Sequence, residues 1–481
     1  MSSLKHKAIS GVAWSSLERL SVQSIQFAIQ IVMARILLPE DYGVVAMLAI
    51  FLAVFQTFID SGFSQALIQK QDRSEVDYST VFYFNVGISI VLFFVLFFSA
   101  PLIAGFYNTP ILTPVTKIVA LNLLIIAFSV VPRAKFTVLI DFKTQAKASL
   151  TAVVISGAVG IWMAYNGFGV WALVYQSLLN NGINTLLLWI LSKWLPLWTF
   201  SLVSFKKLFS FGSKLLLSAL LDTVFRNIYT LVIGRKFTAQ DLGYYSRADQ
   251  FAQFPSTNLS GIIGRVAFPV MCEVQNDDEQ FRNVFYKFLR TSTFLIFPLM
   301  VGLAALAEPL IRLVLTEKWL GAVVLLQILC FAFMWFPVHG LNLALLQAKG
   351  RSDLFLKLEI IKKIVGVIIL IITIPFGIIA MCVGLVVSSV LCMPINTYYT
   401  KKYFNIGFFQ QMRYIFPSLF LSGSMGIIIF LLTQLKLSDI YTLVLGISVG
   451  CLYYIGAVAL FNMKEWQELK IIHRTLFAKN S

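Results

Sequence analysis

Arginines inside apolar stretches are the residues of this 481-residue chain best suited to chemistry. Four of them lie in such stretches: Arg19, Arg226, Arg247 and Arg265. An ionisable side chain there is costly in lipid and persists where it faces water or a partner. The planar guanidinium can bind two phosphate oxygens at once, whereas lysine acts as a point charge. These residues predict a site for an anionic group, and a diphosphate fits it better than an organic cation.

The polar residues around Arg19 share one face of a predicted helix. Ser15, Arg19, Gln23, Gln26 and Gln30 follow one another at steps of 4, 4, 3 and 4. Residues three or four apart lie above one another on an α-helix. The stripe is therefore expected to face water or polar neighbours, with Gln23, Gln26 and Gln30 lining a cavity.

A second polar helix is predicted around residues 241–270. One face carries Arg247, Gln250, Asn258 and Arg265, and an adjoining face carries Asp249. Such a helix is a poor surface for lipid, and we expect it to line the same cavity. Snorkelling of Arg247 and Arg265 to the membrane interface is the alternative interpretation of these two arginines.

Acidic residues accompany the arginines. Asp222 precedes Arg226 by four residues, the favourable order for an ion pair on a helix, and a purely structural pair is an equally good interpretation. Glu18, Asp60 and Asp249 are further acidic residues within apolar runs. These four carboxylates are candidates for ion pairing in the empty state or for coupling transport to H⁺ or Na⁺.

The elements that must position these residues are membrane-spanning helices. With 58% hydrophobic and 12% charged residues, the chain is too apolar for a soluble fold of its length. About fourteen stretches reach the roughly 20 residues needed to cross a bilayer, and they are too long for barrel strands. The sequence predicts an all-α integral membrane protein.

A repeat divides the predicted helices into two sets. The spacing of Arg35, Asp41 and Gly43 returns 200 residues later as Arg235, Asp241 and Gly243. Each motif is expected to form a helix cap and tight turn. Six spans per repeat predict two six-helix lobes related by a pseudo-two-fold axis along the membrane normal, which is typical of transporters. The predicted domains are 1–200, 201–404 and 405–481, the last being a C-terminal helix pair.

The net charge of +16 is explained by topology. Lysines and arginines concentrate in alternate loops and in both tails, which predicts that both termini are cytoplasmic and gives no reason to invoke nucleic-acid binding. The five cysteines are scattered without a metal-ligand or disulfide pattern, so neither a cofactor nor a metal is expected. The N-terminal segment lacks the features of a cleaved signal peptide.

Several segments resemble one known family. ARILLPEDYGVVAM at 34–47 and LSGIIGRVAFP at 259–269, with shorter runs at 60–69, 79–82, 243–248 and 308–319, are similar to the polysaccharide flippases of the multidrug/oligosaccharidyl-lipid/polysaccharide exporter superfamily. The resemblance implies two lobes that rock between inward-open and outward-open states in the bacterial cytoplasmic membrane. It implies an undecaprenyl-diphosphate-linked oligosaccharide as substrate, carried to the periplasmic face, and a C-terminal helix pair that holds the lipid tail. The sodium-site pattern of some relatives has no match here.

Two other functions are weighed against this one. A drug or organic-cation exporter of the same superfamily would have a cavity dominated by acidic residues, which this sequence does not have. A membrane polymerase or ligase of lipid-linked glycans would need a large external loop with acid and base residues. The three histidines, His6, His339 and His473, lie in two predicted cytoplasmic tails and one span, so an enzyme is not predicted.

Overall fold

The computed structural model describes residues 21–60, 62–435 and 437–461, and every regular element among them is helical. They form two compact units that meet in sequence at Gly243 and Tyr244. The first unit contains α1 (21–36), α2 (Pro39–Asp60), α3 (Phe63–Gln69), α4 (Glu75–Tyr107), α5 (Leu112–Val119), α6 (Leu121–Val138), α7 (Phe142–Tyr165), α8 (Val170–Ser192), α9 (Leu202–Lys236) and the first turn of α10 (Ala239–Glu273).

The second unit contains the rest of α10 and the helices that follow it. These are α11 (Asp278–Ala305), α12 (Ala307–Leu315), a 3₁₀ turn (Glu317–Ala322), α13 (Val323–Phe333), α14 (Phe336–Ala348), α15 (Ser352–Thr373), a short 3₁₀ turn (Ile374–Phe376), α16 (Ile378–Phe404), α17 (Phe408–Thr433) and α18 (Asp439–Leu460). The predicted division of the sequence at residues 200 and 404 concerns the repeat rather than packing, and it stays a prediction.

Ten segments of the described residues are long and apolar enough to cross a bilayer. The helices α1, α8, α10 and α15 fall outside this set. Neutral polar residues such as Gln250, Gln253 and Asn258, together with the arginines, account for α10, and four charged residues between 357 and 363 account for α15. The all-helical membrane class is confirmed, while the count of fourteen spans stays a prediction.

Two stretches that the sequence predicts as continuous helices are interrupted. α5 and α6 meet at Ala120, and α13 and α14 are separated by Met334 and Trp335. At the second break Pro337 has no N–H to donate to the Phe333 carbonyl, so the α-helical hydrogen bond between them cannot form. The Ser256 hydroxyl of α10 donates to that carbonyl instead, at 2.6 Å.

Small residues bring helices of the first unit close together. Gly157 of α7 lies against the Ile29 side chain of α1, and Gly160 lies near Met33 of the same helix. Such positions allow close backbone approach in membranes, where packing rather than the hydrophobic effect drives helix association. α9 packs along α2 and α3, which assigns it to the first unit.

The linker between α8 and α9 is fastened to the start of α4. Trp194 Nε1 donates to Glu75 Oε2 at 2.7 Å, and the other Glu75 oxygen accepts from Lys135 Nζ at 2.8 Å. Further along the linker, the Leu197 N–H donates to the Ser79 hydroxyl at 2.8 Å. These bonds fix the point from which α9 starts.

The repeated motif caps two helices, as predicted, but its glycines act differently. Asp41 accepts a hydrogen bond from the Leu38 N–H at 3.0 Å, and Asp241 accepts one from the Thr238 N–H at 3.2 Å. These bonds satisfy backbone donors at the starts of α2 and α10. The prediction that Gly43 and Gly243 form tight turns is wrong, because both lie inside the helices.

Both motif glycines instead permit a close helix contact. A Cβ atom on Gly43 would overlap the backbone carbonyl of Ala239, and one on Gly243 would overlap the carbonyl of Pro39. The four residues pair reciprocally across the 200-residue repeat, and all four belong to the first unit. The first turns of α2 and α10 therefore meet backbone to backbone, a contact that only glycine allows.

The C-terminal helices are packed firmly into the second unit. α17 runs along α11, and α18 packs on α17 and α12. Tyr454 of α18 donates to the Phe294 carbonyl of α11 at 3.0 Å. Leu306, Leu421 and Met425 belong to the buried apolar cluster between these helices.

A reciprocal amide pair joins α14 to α17. Asn342 Nδ2 donates to Gln411 Oε1 at 2.9 Å, Gln411 Nε2 donates to Asn342 Oδ1 at 2.7 Å, and both residues are buried. We expect Gln411→Leu to lower the free energy of unfolding by about 1–3 kcal/mol, because it leaves the buried Asn342 Oδ1 without a donor, while Asn342 Nδ2 keeps its bond to the Val338 carbonyl. The double variant Asn342→Leu/Gln411→Leu should have a free energy of unfolding closer to that of wild type. Thermal unfolding in detergent measures both, with Gln434→Leu at the exposed end of α17 as the control. Equal losses in the single and double variants would contradict the pairing.

Candidate functional site

The exposed polar face of α9 carries one of the four predicted arginines. Arg226 Nη2 lies 3.4 Å from Asp222 Oδ2, and the two side chains are 80% and 49% exposed. This is the ion pair that their spacing predicts. A pair so exposed is weak, so the Arg226 guanidinium is available to a competing anion.

This polar face points away from the apolar exposed face of the same helix. Leu217, Leu221 and Val224 are exposed. They lie about 140–200° around the helix from Arg226, at 3.6 residues per turn. A helix with lipid-facing residues on one side would place Arg226 on the side away from lipid.

α2 holds this part of α9 in place. The Thr57 hydroxyl of α2 lies 3.2 Å from the Thr223 hydroxyl of α9. One turn further, Asn227 Nδ2 donates to the Thr223 carbonyl at 2.8 Å. The bond from Asn227 lies within α9, whereas the contact between Thr57 and Thr223 joins two helices and restricts the rotation of α9 about its axis.

The first predicted polar stripe is only partly within the described residues. Glu18 and Arg19 lie outside them. Of the glutamines that follow, Gln26 is exposed, while Gln23 and Gln30 are half-buried.

α10 has two polar faces, as the sequence predicts, and they differ in surroundings. Arg247 and Arg265 lie five turns apart on one face, where Arg265 is exposed and Arg247 half-buried. Between them Gln250 is half-buried, and Asn258 Nδ2 donates to the Phe254 carbonyl at 2.7 Å.

The other polar face of α10 packs inside the second unit. It lies about 160–180° around the helix from Arg265. Ser256 on this face is buried against α13, and Asp249 accepts from Gln253 Nε2 at 2.8 and 2.9 Å. Asp249 thus lies on the opposite side of α10 from Arg265, and not on an adjoining face as expected from the sequence.

The acidic candidates occupy different places. Asp60 is the last residue of α2, where its carboxylate accepts from the Ser64 hydroxyl at 2.5 Å. Asp222 stands beside Arg226 in the first unit, and Asp249 is in the second. Among the described residues no group of three or more His, Cys, Asp and Glu side chains could hold a metal ion.

One polar cluster was not singled out by sequence reasoning. His339 of α14 is hydrogen-bonded to Ser389 and Asn396 of α16, and Lys362 of α15 forms an ion pair with Glu359. In the sequence, Lys362 belongs to the basic residues between 349 and 363, one of the loop groups from which the topology is predicted. The step of three from Glu359 to Lys362 was the available signal, since it marks a helical pair.

Comparison with known proteins identifies the family. The model of the polysaccharide biosynthesis protein family matches residues 32–324, more than half of the chain. The chain belongs to this family. The resemblance noted in the sequence is thereby confirmed.

Two relatives are similar over most of their length. The teichuronic acid biosynthesis protein TuaB of Bacillus subtilis (strain 168) is 29% identical over 356 residues, which are 74% of this chain and 74% of TuaB. The lipopolysaccharide biosynthesis protein WzxC of Escherichia coli (strain K12) is 28% identical over 401 residues, 82% of this chain and 80% of WzxC.

A solved structure supports the fold. The inward closed conformation of the lipid II flippase MurJ superposes with a TM-score of 0.75 and covers 93% of this chain and 98% of the MurJ chain. The sequence identity is 15%, so this likeness concerns the fold alone. This member of the polysaccharide biosynthesis family is thus a multi-pass membrane protein whose helical architecture resembles that of MurJ.

Proposed function

We infer that this protein is a flippase that moves an undecaprenyl-diphosphate-linked oligosaccharide from the cytoplasmic to the outer face of the bacterial cytoplasmic membrane. The observation that carries the proposal is the exposed guanidinium of Arg226, on the side of α9 opposite its exposed apolar residues, in a member of the polysaccharide biosynthesis family. Relatives named for teichuronic acid and lipopolysaccharide biosynthesis support a glycan substrate. The function is transport rather than catalysis.

The arginines would act on the diphosphate at different stages. Arg247 and Arg265 are separated by 18 residues of α10, or roughly 27 Å along a straight helix at 1.5 Å per residue. A diphosphate is far shorter than this, so it cannot contact both at once. With both termini in the cytoplasm, as the loop charges indicate, Arg265 lies nearer the cytoplasmic end and Arg247 nearer the outer end. We assign Arg265 to loading, Arg247 to release, and Arg19 and Arg226 to the path between them.

Alternating access of two six-helix lobes would carry the head group, while the lipid tail stays in the bilayer beside the C-terminal helix pair. A ligand shifts an equilibrium only by its different affinity for the two states, so release on the outer side needs a second event. Binding or loss of H⁺ or Na⁺ at Glu18, Asp60, Asp222 or Asp249 is the proposed event. Asp222 would act most directly, because its ionised carboxylate competes with the diphosphate for Arg226, so that loss of H⁺ or Na⁺ from Asp222 favours release.

Translocation in proteoliposomes tests the function. Purified protein is reconstituted with a fluorescent undecaprenyl-diphosphate oligosaccharide, and the probe in each leaflet is measured by its accessibility to a quencher. Wild type should move the probe between leaflets, and the Arg19→Ala/Arg226→Ala double variant should not. Wild type equal to protein-free vesicles, with folded protein confirmed, would contradict the proposal. Efflux of an organic cation by the same vesicles would then favour the drug-exporter function.

A further inference from the structure

A gap in the helix between α13 and α14 lies next to an unusual histidine. Pro337 has no N–H, so the Phe333 carbonyl has no helical donor. It accepts a hydrogen bond from the Ser256 hydroxyl instead. The neighbouring Ala332 carbonyl accepts from the Ser389 hydroxyl of α16 at 3.1 Å. Interrupted helices within the membrane are where transporters expose backbone polar groups to substrates and ions.

His339, on the first turns of α14, is held by this network in one tautomer. Asn396 Nδ2 lies 2.9 Å from His339 Nδ1, and because an amide NH₂ only donates, Nδ1 must accept. The ring proton is therefore on Nε2, which lies 3.1 Å from the Ser389 hydroxyl oxygen. That hydroxyl donates its own proton to Ala332, so its oxygen can accept the ring N–H. The imidazole is neutral in this arrangement.

The same network can accept a second proton on the ring. Asn396 is buried, and its Oδ1 atom has no hydrogen-bond partner among the described residues. A half-turn of the Asn396 amide would bring Oδ1 to the position now held by Nδ2. Protonated Nδ1 would then donate to Oδ1 while Nε2 continued to donate to Ser389. Both forms of His339 thus have partners, whereas a packing histidine needs them for one form only.

His339 also lines a cavity that has a charged side chain, Lys362, in its wall. The cavity has a volume of about 270 Å³ and lies within the second unit. Lys362 of α15 lines it together with Ser388 and Cys392 of α16, and Lys362 forms an ion pair with Glu359 one turn away. The Lys362 and Glu359 side chains are only 15% and 26% exposed. Ionisable groups buried within membrane domains are retained mainly for transport of ions or substrate.

We propose that His339 takes up and releases a proton during the transport cycle, with Lys362 and Glu359 setting how readily it does so. This inference rests on the proposed flippase function and adds a coupling group to it. In the arrangement described, the positive charge of Lys362 disfavours protonation of His339, and the negative charge of Glu359 partly offsets this effect. Movement of α15 relative to α14 would change that balance and with it the proton affinity of His339.

Few other charged or titratable groups among the described residues face this cluster from the helices around it. α15 contributes Glu359 and Lys362, and α16 contributes the Cys392 thiol. Asp249 of α10 lies two turns from Ser256 and is hydrogen-bonded to Gln253. On α11 the Phe297 ring packs on Trp335 at this level, and Arg290 lies about two turns away along the helix.

Three substitutions test the proposal by the direction of their effects. Transport of the fluorescent undecaprenyl-diphosphate oligosaccharide is measured from about pH 5 to about pH 8, equal on both sides of the vesicle. His339→Gln keeps hydrogen bonds but cannot titrate, and it should abolish the pH dependence. Lys362→Met removes a positive neighbour and should move the midpoint up by about one pH unit, whereas Glu359→Gln should move it down.

A matched control separates titration from structure. Asn342→Ala disturbs a buried polar pair about one turn further along α14 without changing any charge, so it should alter stability but not the pH midpoint. A wild-type rate that is independent of pH, or a pH profile unchanged in His339→Gln, would overturn the proposal while leaving the flippase function intact.

A readout without substrate keeps the two proposals distinguishable. In protein labelled with ¹⁵N-histidine, the resonance missing from His339→Gln belongs to His339. Its titration midpoint should be higher in Lys362→Met and lower in Glu359→Gln than in wild type. Identical midpoints in all three proteins would overturn the inference, whether or not the wild type transports the oligosaccharide.

Discussion

Replacing Arg226 with glutamine is expected to lower translocation of the undecaprenyl-diphosphate oligosaccharide roughly 10- to 100-fold, the effect of losing about 1.5–3 kcal/mol of charged hydrogen bonding. The guanidinium is 80% exposed and pairs with Asp222 at 3.4 Å, so little of the effect can come from lost packing. Arg226→Lys should recover part of the rate, since it restores the charge without the two-pronged geometry. Initial flipping rates in proteoliposomes give the comparison.

The chain offers a close control for this substitution. Arg312 pairs with Glu308 at the same i, i+4 spacing, with an Nη2–Oε1 distance of 2.8 Å, on α12 of the second unit. Arg312→Gln removes an ion pair of the same spacing, together with a 4.0 Å contact to Asp439 of α18, without touching the polar face of α9. A similar loss of transport in both variants would mean that Arg226 has no special part in substrate binding.

Alanine at Gly43 or Gly243 is expected to cost about 1–3 kcal/mol of stability, the usual cost of overpacking. Each new methyl group would overlap a backbone carbonyl, of Ala239 or of Pro39, and backbone cannot move aside as a flexible side chain can. Because both substitutions break one reciprocal contact, the double variant should lose less than the sum of the single losses. Thermal unfolding of the purified variants measures the three values.

Glycines elsewhere provide the baseline for this experiment. At Gly87 of α4, no described atom lies within 4 Å of the place that an added methyl group would take, so Gly87→Ala should leave stability unchanged or raise it slightly. If Gly43→Ala behaved like Gly87→Ala, the backbone contact between α2 and α10 would not contribute to stability. Strict additivity of the two motif substitutions would likewise contradict a shared contact.

The sequence was informative wherever the physics is local. A bilayer demands long apolar stretches, so the helices follow directly from hydropathy. The caps at Asp41 and Asp241 involve residues three apart, and the Asp222–Arg226 pair needs one turn of helix, so short spacing is enough to predict them.

Features that depend on distant residues escaped prediction. The roles of Gly43 and Gly243 required knowing that their partners lie about 200 residues away. His339 reads as an ordinary packing residue until Ser389 and Asn396 are placed beside it. Lys362 was hidden in a run of lysines, because composition alone does not distinguish an interfacial charge from one that lines a cavity.

The close packing of α17 and α18 on the second unit limits how a relative of this chain could be shortened. Truncation after α16 would uncover the apolar flank of α11, leave Asn342 without Gln411, and remove the partner of the Phe294 carbonyl. The pair is thus part of the scaffold rather than a detachable appendage. A shorter descendant would have to repack the second unit before it could dispense with these helices.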